Sequence, residues 1–529
     1  MLYDQELSFF LHYSKFYRTH KTAGCKDMTY MLPLRILTVV ILSDAALTGC
    51  LVGPNYREPA APVVTSYTST ALPSETASAP GPGGAAQRLL PGQEIPAQWW
   101  TLFHSAALDQ LVRQAMTDNP TLATAQATLR QAQENMNALV GSALYPNVNA
   151  NVLATREKIS GAQIGLPNLT ISPFTLYNAS VNVSYALDFF GGARRELEAL
   201  QSQVDFQYFQ LEGAYLTITS NVVTTVVKEV SLRAQIQAMR EIVSSQEKQL
   251  DLVELQYRLG GATRTDVLAQ RSQLAQSRAT LPALSKGLWQ TRHQLAILIG
   301  RMPADSGVLP EFNLDGLQLP NELPISLPSS LVRQRPDIRA SEALLHAASA
   351  QVGVATANQY PQITLTGSYG SMTTASNTLF SDKTAVWSLG AGLLQPIFNG
   401  GELSAKRRAA VAAHDQAMTQ YQSTILQAFQ NVADVLRALE EDASTLKAQA
   451  DSEAAARETL DLTQTQFRLG SVSYLSLLNA ERQYQEARIG LVQAQAARFA
   501  DTAALFQALG GGWWNRAPLA GTAAKMNTE

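Results

Sequence analysis

Apolar positions along the chain follow two spacings, and the same succession of spacings occurs twice. From Ala107 to about Leu144, the residues Leu108, Leu111, Ala115, Leu122, Leu129 and Ala132 are separated by threes, fours and sevens. That spacing predicts a helix, which Tyr145-Pro146 ends. The period then drops to two. Val148, Ala150 and Val152 alternate with Asn147, Asn149 and Asn151, and Val181, Val183, Tyr185 and Leu187 alternate with Asn182, Ser184 and Ala186. Two strands are therefore expected within 147–190, each with one apolar and one polar face, joined by a polar loop over 155–175.

Beyond Phe189-Phe190-Gly191-Gly192 the helical period returns without a proline as far as Leu259. Leu211, Tyr215, Ile218 and Val222 step by four, three and four, a coiled-coil-like seam. Such a helix is on the order of 100 Å long at about 1.5 Å per residue. A return helix over about 264–300, kinked at Pro282, completes a hairpin over 193–300, and a Pro-containing connector covers 301–328. The second half repeats the plan. A helix over Ser341–Asn358 ends at Tyr360-Pro361, and strands within 362–398 alternate Ile363, Leu365 and Tyr369 with Thr364, Thr366 and Ser368. Phe398-Asn399-Gly400-Gly401 then leads into a hairpin over 402–509, with a seam at Ile425, Phe429, Val432, Leu436 and Leu439.

The two hairpin tips match residue by residue. Residues 250–281 and 460–491 share Leu250/Leu460, Asp251/Asp461, Gln256/Gln466, Arg258/Arg468, Leu259/Leu469 and Gly260/Gly470. Gly suits the position after a helix because it adopts positive φ without a Cβ clash. Thr263, Thr265 and Asp266, and Ser471 and Ser473, are candidate caps for the returning helices. The expected organisation is a first repeat over 99–328, a second over 329–509 and a loosely ordered tail over 510–529.

Composition narrows the function. Net charge is −3 and the pI about 6.1, so no nucleic-acid footprint exists. Charged residues make up only 16 %, which suits long helices packed through small residues around water. No P-loop, HExxH or paired-His spacing occurs, and the six histidines are scattered singly. No enzyme chemistry, cofactor or metal is expected. Cys25 and Cys50 both precede the folded region, so a disulfide framework is absent. From Met31, one Arg and an apolar run lead to Leu47-Thr48-Gly49-Cys50, a secretory signal over 1–49 with residues 1–30 as an upstream extension and Met28 or Met31 as the start. The run contains Asp44. Residues 50–98, rich in Pro, Ala, Ser and Thr, are expected to form an extended tether.

Four alternating strands match the signature of an outer-membrane barrel, but about eight strands are the fewest that close one. Open edges in lipid leave backbone groups unpaired, so several chains must share a barrel. The helices exceed a bilayer about threefold and must continue the wall into an aqueous compartment.

Three stretches carry a resemblance: Cys50-Leu51-Val52-Gly53-Pro54-Asn55-Tyr56, Trp99-Trp100-Thr101-Leu102-Phe103, and Leu327-Pro328 with Arg335-Pro336-Asp337-Ile338-Arg339. They resemble TolC-type outer membrane factors, specifically the OprM-like, NodT-type lipoproteins that serve resistance–nodulation–division efflux pumps. The resemblance implies a homotrimer with a twelve-stranded transmembrane β-barrel continuing into a periplasmic α-helical barrel. It implies lipidation at Cys50, although cleavage without lipidation remains the alternative. It also implies an aspartate constriction at Asp461, with Asp251 in the equivalent repeat position. Arg258, Leu259, Gly260, Arg468, Leu469 and Gly470 would dock on a periplasmic adaptor that links to an inner-membrane transporter. Two other readings stay open: an exit duct for type I protein secretion, and a periplasmic coiled-coil adaptor or scaffold.

Overall fold

The computed structural model describes residues 51–165 and 167–516. Cys50, the signal segment and residues 517–529 lie outside the described residues. In chain order the first half comprises β1 (Arg88–Pro91), α1 (Ala106–Asp118), α2 (Pro120–Leu144), β2 (Asn147–Glu157), β3 (Phe174–Leu187), α3 (Gly192–Arg258) and α4 (Arg264–Leu298). The second comprises β4 (Glu322–Ile325), α5 (Pro328–Gln334), α6 (Pro336–Ala357), β5 (Gln362–Thr373), β6 (Ala385–Leu394), α7 (Glu402–Arg468) and α8 (Tyr474–Ala508). α3 and α7 are each 67 residues long, and α4 and α8 are each 35.

β2, β3, β5 and β6 form one antiparallel sheet in that order. Its register collects like residues into rows. Val148, Val183, Gly367 and Leu389 form one row, and Ala150, Val181, Tyr369 and Trp387 form the next on the same face. The opposite face carries Asn149, Asn182, Ser368 and Ser388, and beside them Asn147, Ser184, Thr366 and Gly390. The Oγ atoms of Ser368 and Ser388 lie 2.8 Å apart. A slip of one residue in any strand would exchange the faces, so the alternation fixes the register. On the apolar face, Trp387 and Leu389 are 72 % and 81 % exposed in the single chain.

The predicted seams are buried. Leu211, Tyr215, Ile218 and Val222 of α3 and Val432, Leu436 and Leu439 of α7 join one core with Trp99, Trp100 and Phe103. Burying such a side chain contributes about 1.5–3 kcal/mol. α3 packs on α4, α6 and α8, so the first half's long helix touches both hairpins.

Several expectations are corrected. The helix expected from Ala107 to Leu144 is two helices, because Pro120 drives Asn119 to an extended conformation (φ −70°, ψ 122°) and starts a new helix at its first position. Asn119 caps that helix through Thr121 N and donates its Nδ2 to Leu298 O at 2.7 Å. Pro282, where a kink is expected, lies inside the continuous helix α4. The stretch 51–98 is no free tether. Its β1 pairs in parallel with β4 of the expected connector, Gln87 and Ile95 are fully buried, and Tyr67 Oη donates to Ser326 O at 2.9 Å. Backbone pairing and a few anchors hold a segment whose composition is too polar for a core of its own. Likewise 510–516 is packed rather than loose: Gly510, Gly511 and Gly512 are buried, and Arg516 pairs with Glu212 at 2.5 Å.

α3, α4 and the connector meet at Arg292. Its guanidinium donates to Glu229 Oε1 at 2.6 Å and to the carbonyls of Ser306 and Leu309 at 2.6 and 2.9 Å. Glu229, fully buried, also accepts from Arg233 at 2.9 Å. Arg292→Met strands those acceptors and is expected to cost roughly 3 kcal/mol. Denaturant unfolding of the purified protein measures this, and an unchanged midpoint would remove the network from the list of stabilising contacts.

Candidate functional site

Each hairpin ends in the same backbone device. Gly260 (φ +79°) and Gly470 (φ +75°) follow the last helical turn with open space around the position a Cβ would take. Gly260 N donates to Tyr257 O at 3.1 Å and Gly261 N to Gln256 O at 2.8 Å. Gly470 N and Ser471 N repeat the pair on Phe467 O and Gln466 O, both at 3.0 Å. These are Schellman closures, which satisfy carbonyls the helix leaves free. Thr263 then caps α4 in a reciprocal box with Asp266, and Ser473 caps α8 through Ser476 N. Ser471 instead turns its hydroxyl back to Gln466 O. Leu259 and Leu469 are 78 % and 79 % exposed, so each tip presents a bare leucine beside its arginine.

Behind the tips a small apolar cluster of Val253, Val267, Leu460, Tyr474, Leu477 and Ala480 binds the two hairpins together. Asp251 and Asp461 stand on α3 and α7, nine residues before the tip glycines, and both are exposed. Within one chain the two are not in the same setting. Asp461 borders a groove of about 310 Å³ between α3, α7 and α8, which Asp251 does not line. Neither side chain has a hydrogen-bond partner among the described residues.

The same groove holds residues that local sequence reasoning missed. Glu481 of α8 is 5 % exposed, and neither of its carboxyl oxygens has a partner. Burial pushes its carboxyl up to about 7, opposed by the nearby Gln270 amide. Gln246 of α3 is also buried with its side-chain amide unpaired. Tyr474 Oη donates to Gln270 Oε1, and Gln270 Nε2 donates to Gln246 O at 3.2 Å, so a polar thread crosses from one hairpin to the other. One signal was available. At the repeat offset Glu481 corresponds to Arg271, which pairs with Glu254 on the outside of the first hairpin at 2.7 Å.

At the other end of the hairpins, the first described residues are pinned at the junction of sheet and helices. Val52 N donates to Phe190 O at 3.2 Å, and the buried Arg195 donates to Asn55 Oδ1 at 2.6 Å and to Glu198 at 2.7 Å. Tyr56 stacks on His346 with centroids 4.2 Å apart. Among the described residues, no group of three His, Cys, Asp or Glu could hold a metal ion, and no helix is long and apolar enough to cross a membrane.

The sequence pattern of the family described as Outer membrane efflux protein matches residues 111–301 and 327–511, that is, both halves. The chain is 32 % identical over 422 residues to the pyoverdine export outer membrane protein OpmQ of Pseudomonas aeruginosa, covering 79 % of this chain and 87 % of that one. It is 28 % identical to the cation efflux system protein CusC of Escherichia coli, over 91 % of this chain and all of the other. Among solved structures, the outer-membrane channel OprN superposes with a TM-score of 0.78 at 26 % identity, over 88 % of this chain and 100 % of that one. The open state of the MtrE outer membrane channel of Neisseria gonorrhoeae superposes with a TM-score of 0.74 at 25 % identity, over 88 % and 99 %. A coiled-coil adaptor would need neither the paired strands nor their duplication. The chain belongs to the outer membrane efflux protein family, the TolC/OprM-like outer membrane factors, and is a channel of the outer membrane reaching into the periplasm rather than an enzyme.

Proposed function

We propose that three copies of this chain close a twelve-stranded barrel and form the exit duct of a tripartite pump for small toxic compounds. The observation that carries the reading is the sheet. Its β2 and β6 edges have no partner within the described residues, and one face is mainly apolar across all four strands, with Arg156, Thr175, Ser371 and Thr373 only toward the end joined to the polar loops. Strands of 10–14 residues suit a bilayer, which a tilted strand of about 9–11 residues spans. Joining β6 of one copy to β2 of the next satisfies every edge, with the Trp387 and Leu389 face toward lipid and the Asn149 and Ser388 face toward the lumen. The hairpins then extend the wall about 100 Å into the periplasm.

Three copies bring six tips together. Arg258, Leu259, Gly260, Arg468, Leu469 and Gly470 would meet a periplasmic adaptor, which in turn connects to an inner-membrane resistance–nodulation–division transporter. Asp251 and Asp461, about two and a half turns behind the tips, would supply up to six carboxylates around the narrowing lumen. Such a ring attracts cations, and its mutual repulsion biases the aperture outward. Cys50 would carry acyl chains, since Leu51 and Val52 dock against Gly191 and Phe190 where the sheet meets the helices. Relatives named for pyoverdine export and cation efflux support small solutes over secreted proteins.

Purified trimers are expected to conduct in planar bilayers with a cation preference that Asp251→Ala/Asp461→Ala lowers. A chain that stays monomeric and silent would overturn the duct, and an unchanged preference would remove the acidic ring. Gly470→Phe should abolish export while leaving the trimer intact, because it strains the tip and covers it. Normal export by that variant would move docking elsewhere. Mass spectrometry of the mature protein is expected to find an acylated Cys50 at the N-terminus; a free terminus downstream would end the lipid anchor.

A further inference from the structure

Each α3–α4 hairpin meets the second hairpin of its own chain along a seam with paired polar contacts, such as Ser277 Oγ to Gln485 Oε1 at 3.3 Å and Gln493 Nε2 to Gln235 Oε1 at 3.4 Å, and with one level near the tips that holds a carboxyl. That level holds Gln246 on α3, Gln270 on α4, and Tyr474 and Glu481 on α8. Glu481 lies seven residues into α8 from Tyr474, roughly 11 Å behind the start of that helix. Its two carboxyl oxygens and the side-chain amide of Gln246 are buried, line one groove and have no partners. An ionised carboxylate left in such a place loses its hydration and gains nothing in exchange. A neutral carboxyl does better. It offers both a donor and an acceptor, as a primary amide also does, and leaves no charge in the seam.

We infer that Glu481 is a proton-operated latch between the two hairpins: neutral, it lets them stay packed at the tip, and ionised, it drives them apart. The inference rests on the duct reading and assigns its aperture a control that the Asp251 and Asp461 ring lacks. The charged groups facing the same groove are Glu241 on α3, Arg457 and Asp461 on α7, and Arg488 on α8. None of them donates to Glu481. Arg488 lies 4.0 Å from Glu453 instead, and Asp461 adds repulsion once Glu481 is charged. Because burial raises this carboxyl from its ordinary 4.5 to about 7, the latch is complete below the ordinary value and is lost as pH rises through the higher one. Within that window the closed-to-open ratio falls by up to about tenfold per pH unit.

The test is single-channel recording of the full trimer from about pH 4 to about pH 8.5, wild type against Glu481→Gln, which keeps the shape and cannot ionise. Wild-type conductance is expected to rise through about pH 7, while the variant holds its low-pH level throughout. The same response in both proteins, or none in the wild type, overturns the latch. Should no protein conduct, the duct reading fails and the latch is judged separately, by amide exchange over Tyr474–Leu491 at matched pH. Faster exchange in wild type than in Glu481→Gln at about pH 8, and equal exchange at about pH 4, supports it. Equal exchange at both overturns it.

Discussion

An unpaired backbone group in lipid costs several kcal/mol, and that single constraint organises the molecule. Four strands hydrogen-bond to one another and leave the outer edges of β2 and β6 open. A soluble protein would blunt such edges with charge or proline, and the facing residues would be polar. Here the edge strand β6 is AVWSLGAGLL, uncharged from end to end. In the barrel proposed above, further copies complete the sheet, and assembly and membrane insertion become one requirement. The long helices inherit this. They leave the sheet at Gly191 and Gly401, both with positive φ, and in the proposed barrel a closed ring of strands would set their spacing around the lumen.

Stability along the helices comes from seams within one chain. α3 is the shared element, packed against its own return helix and against α6 and α8 of the other half. Most of that contact is apolar, with Ala and Val interleaved with Leu, Ile, Phe and Tyr. Polar groups are buried along the seams as well, and three charged ones mark different levels. Arg292 with Glu229 ties the hairpin to the connector, Arg195 ties the N-terminal strap to the junction, and Glu481 sits near the tips. The first two are ionic and paired, although Glu229 keeps one carboxyl oxygen without a partner. The third has no counter-ion, which is why its protonation is balanced near neutrality.

The strands and the tips were legible because their signals are local. Alternation of Val148, Ala150 and Val152 with asparagines specifies both a period and a face, and the register follows from the face. A glycine after a long helical run specifies its end, and Gly260 and Gly470 stop their helices within two residues of the sequence reading. The break at Asn119 was also local, but the apolar spacing ran across Pro120 and concealed it. Packing of 51–98 was not legible. Its anchors, Gln87 and Ile95, are single residues in a polar stretch, and their partners lie more than two hundred residues away. Glu481 was invisible for a similar reason. On α8 alone it reads as one more surface glutamate beside Arg482, and only the approach of α3 and α4 takes it out of water.

The equal lengths of the two hairpins carry a consequence for how this protein can change. With α3 and α7 matched at 67 residues and α4 and α8 at 35, both turns stop at one distance from the sheet. Inserting a single heptad into both arms of one hairpin would carry its turn about 10 Å past the other. A partner that grips all the turns at once would then reach half of them. Length is therefore a paired quantity here: point substitutions can diverge freely between the halves, as Gly261 and Ser471 have, but insertions and deletions are viable only when they arise in both halves and match.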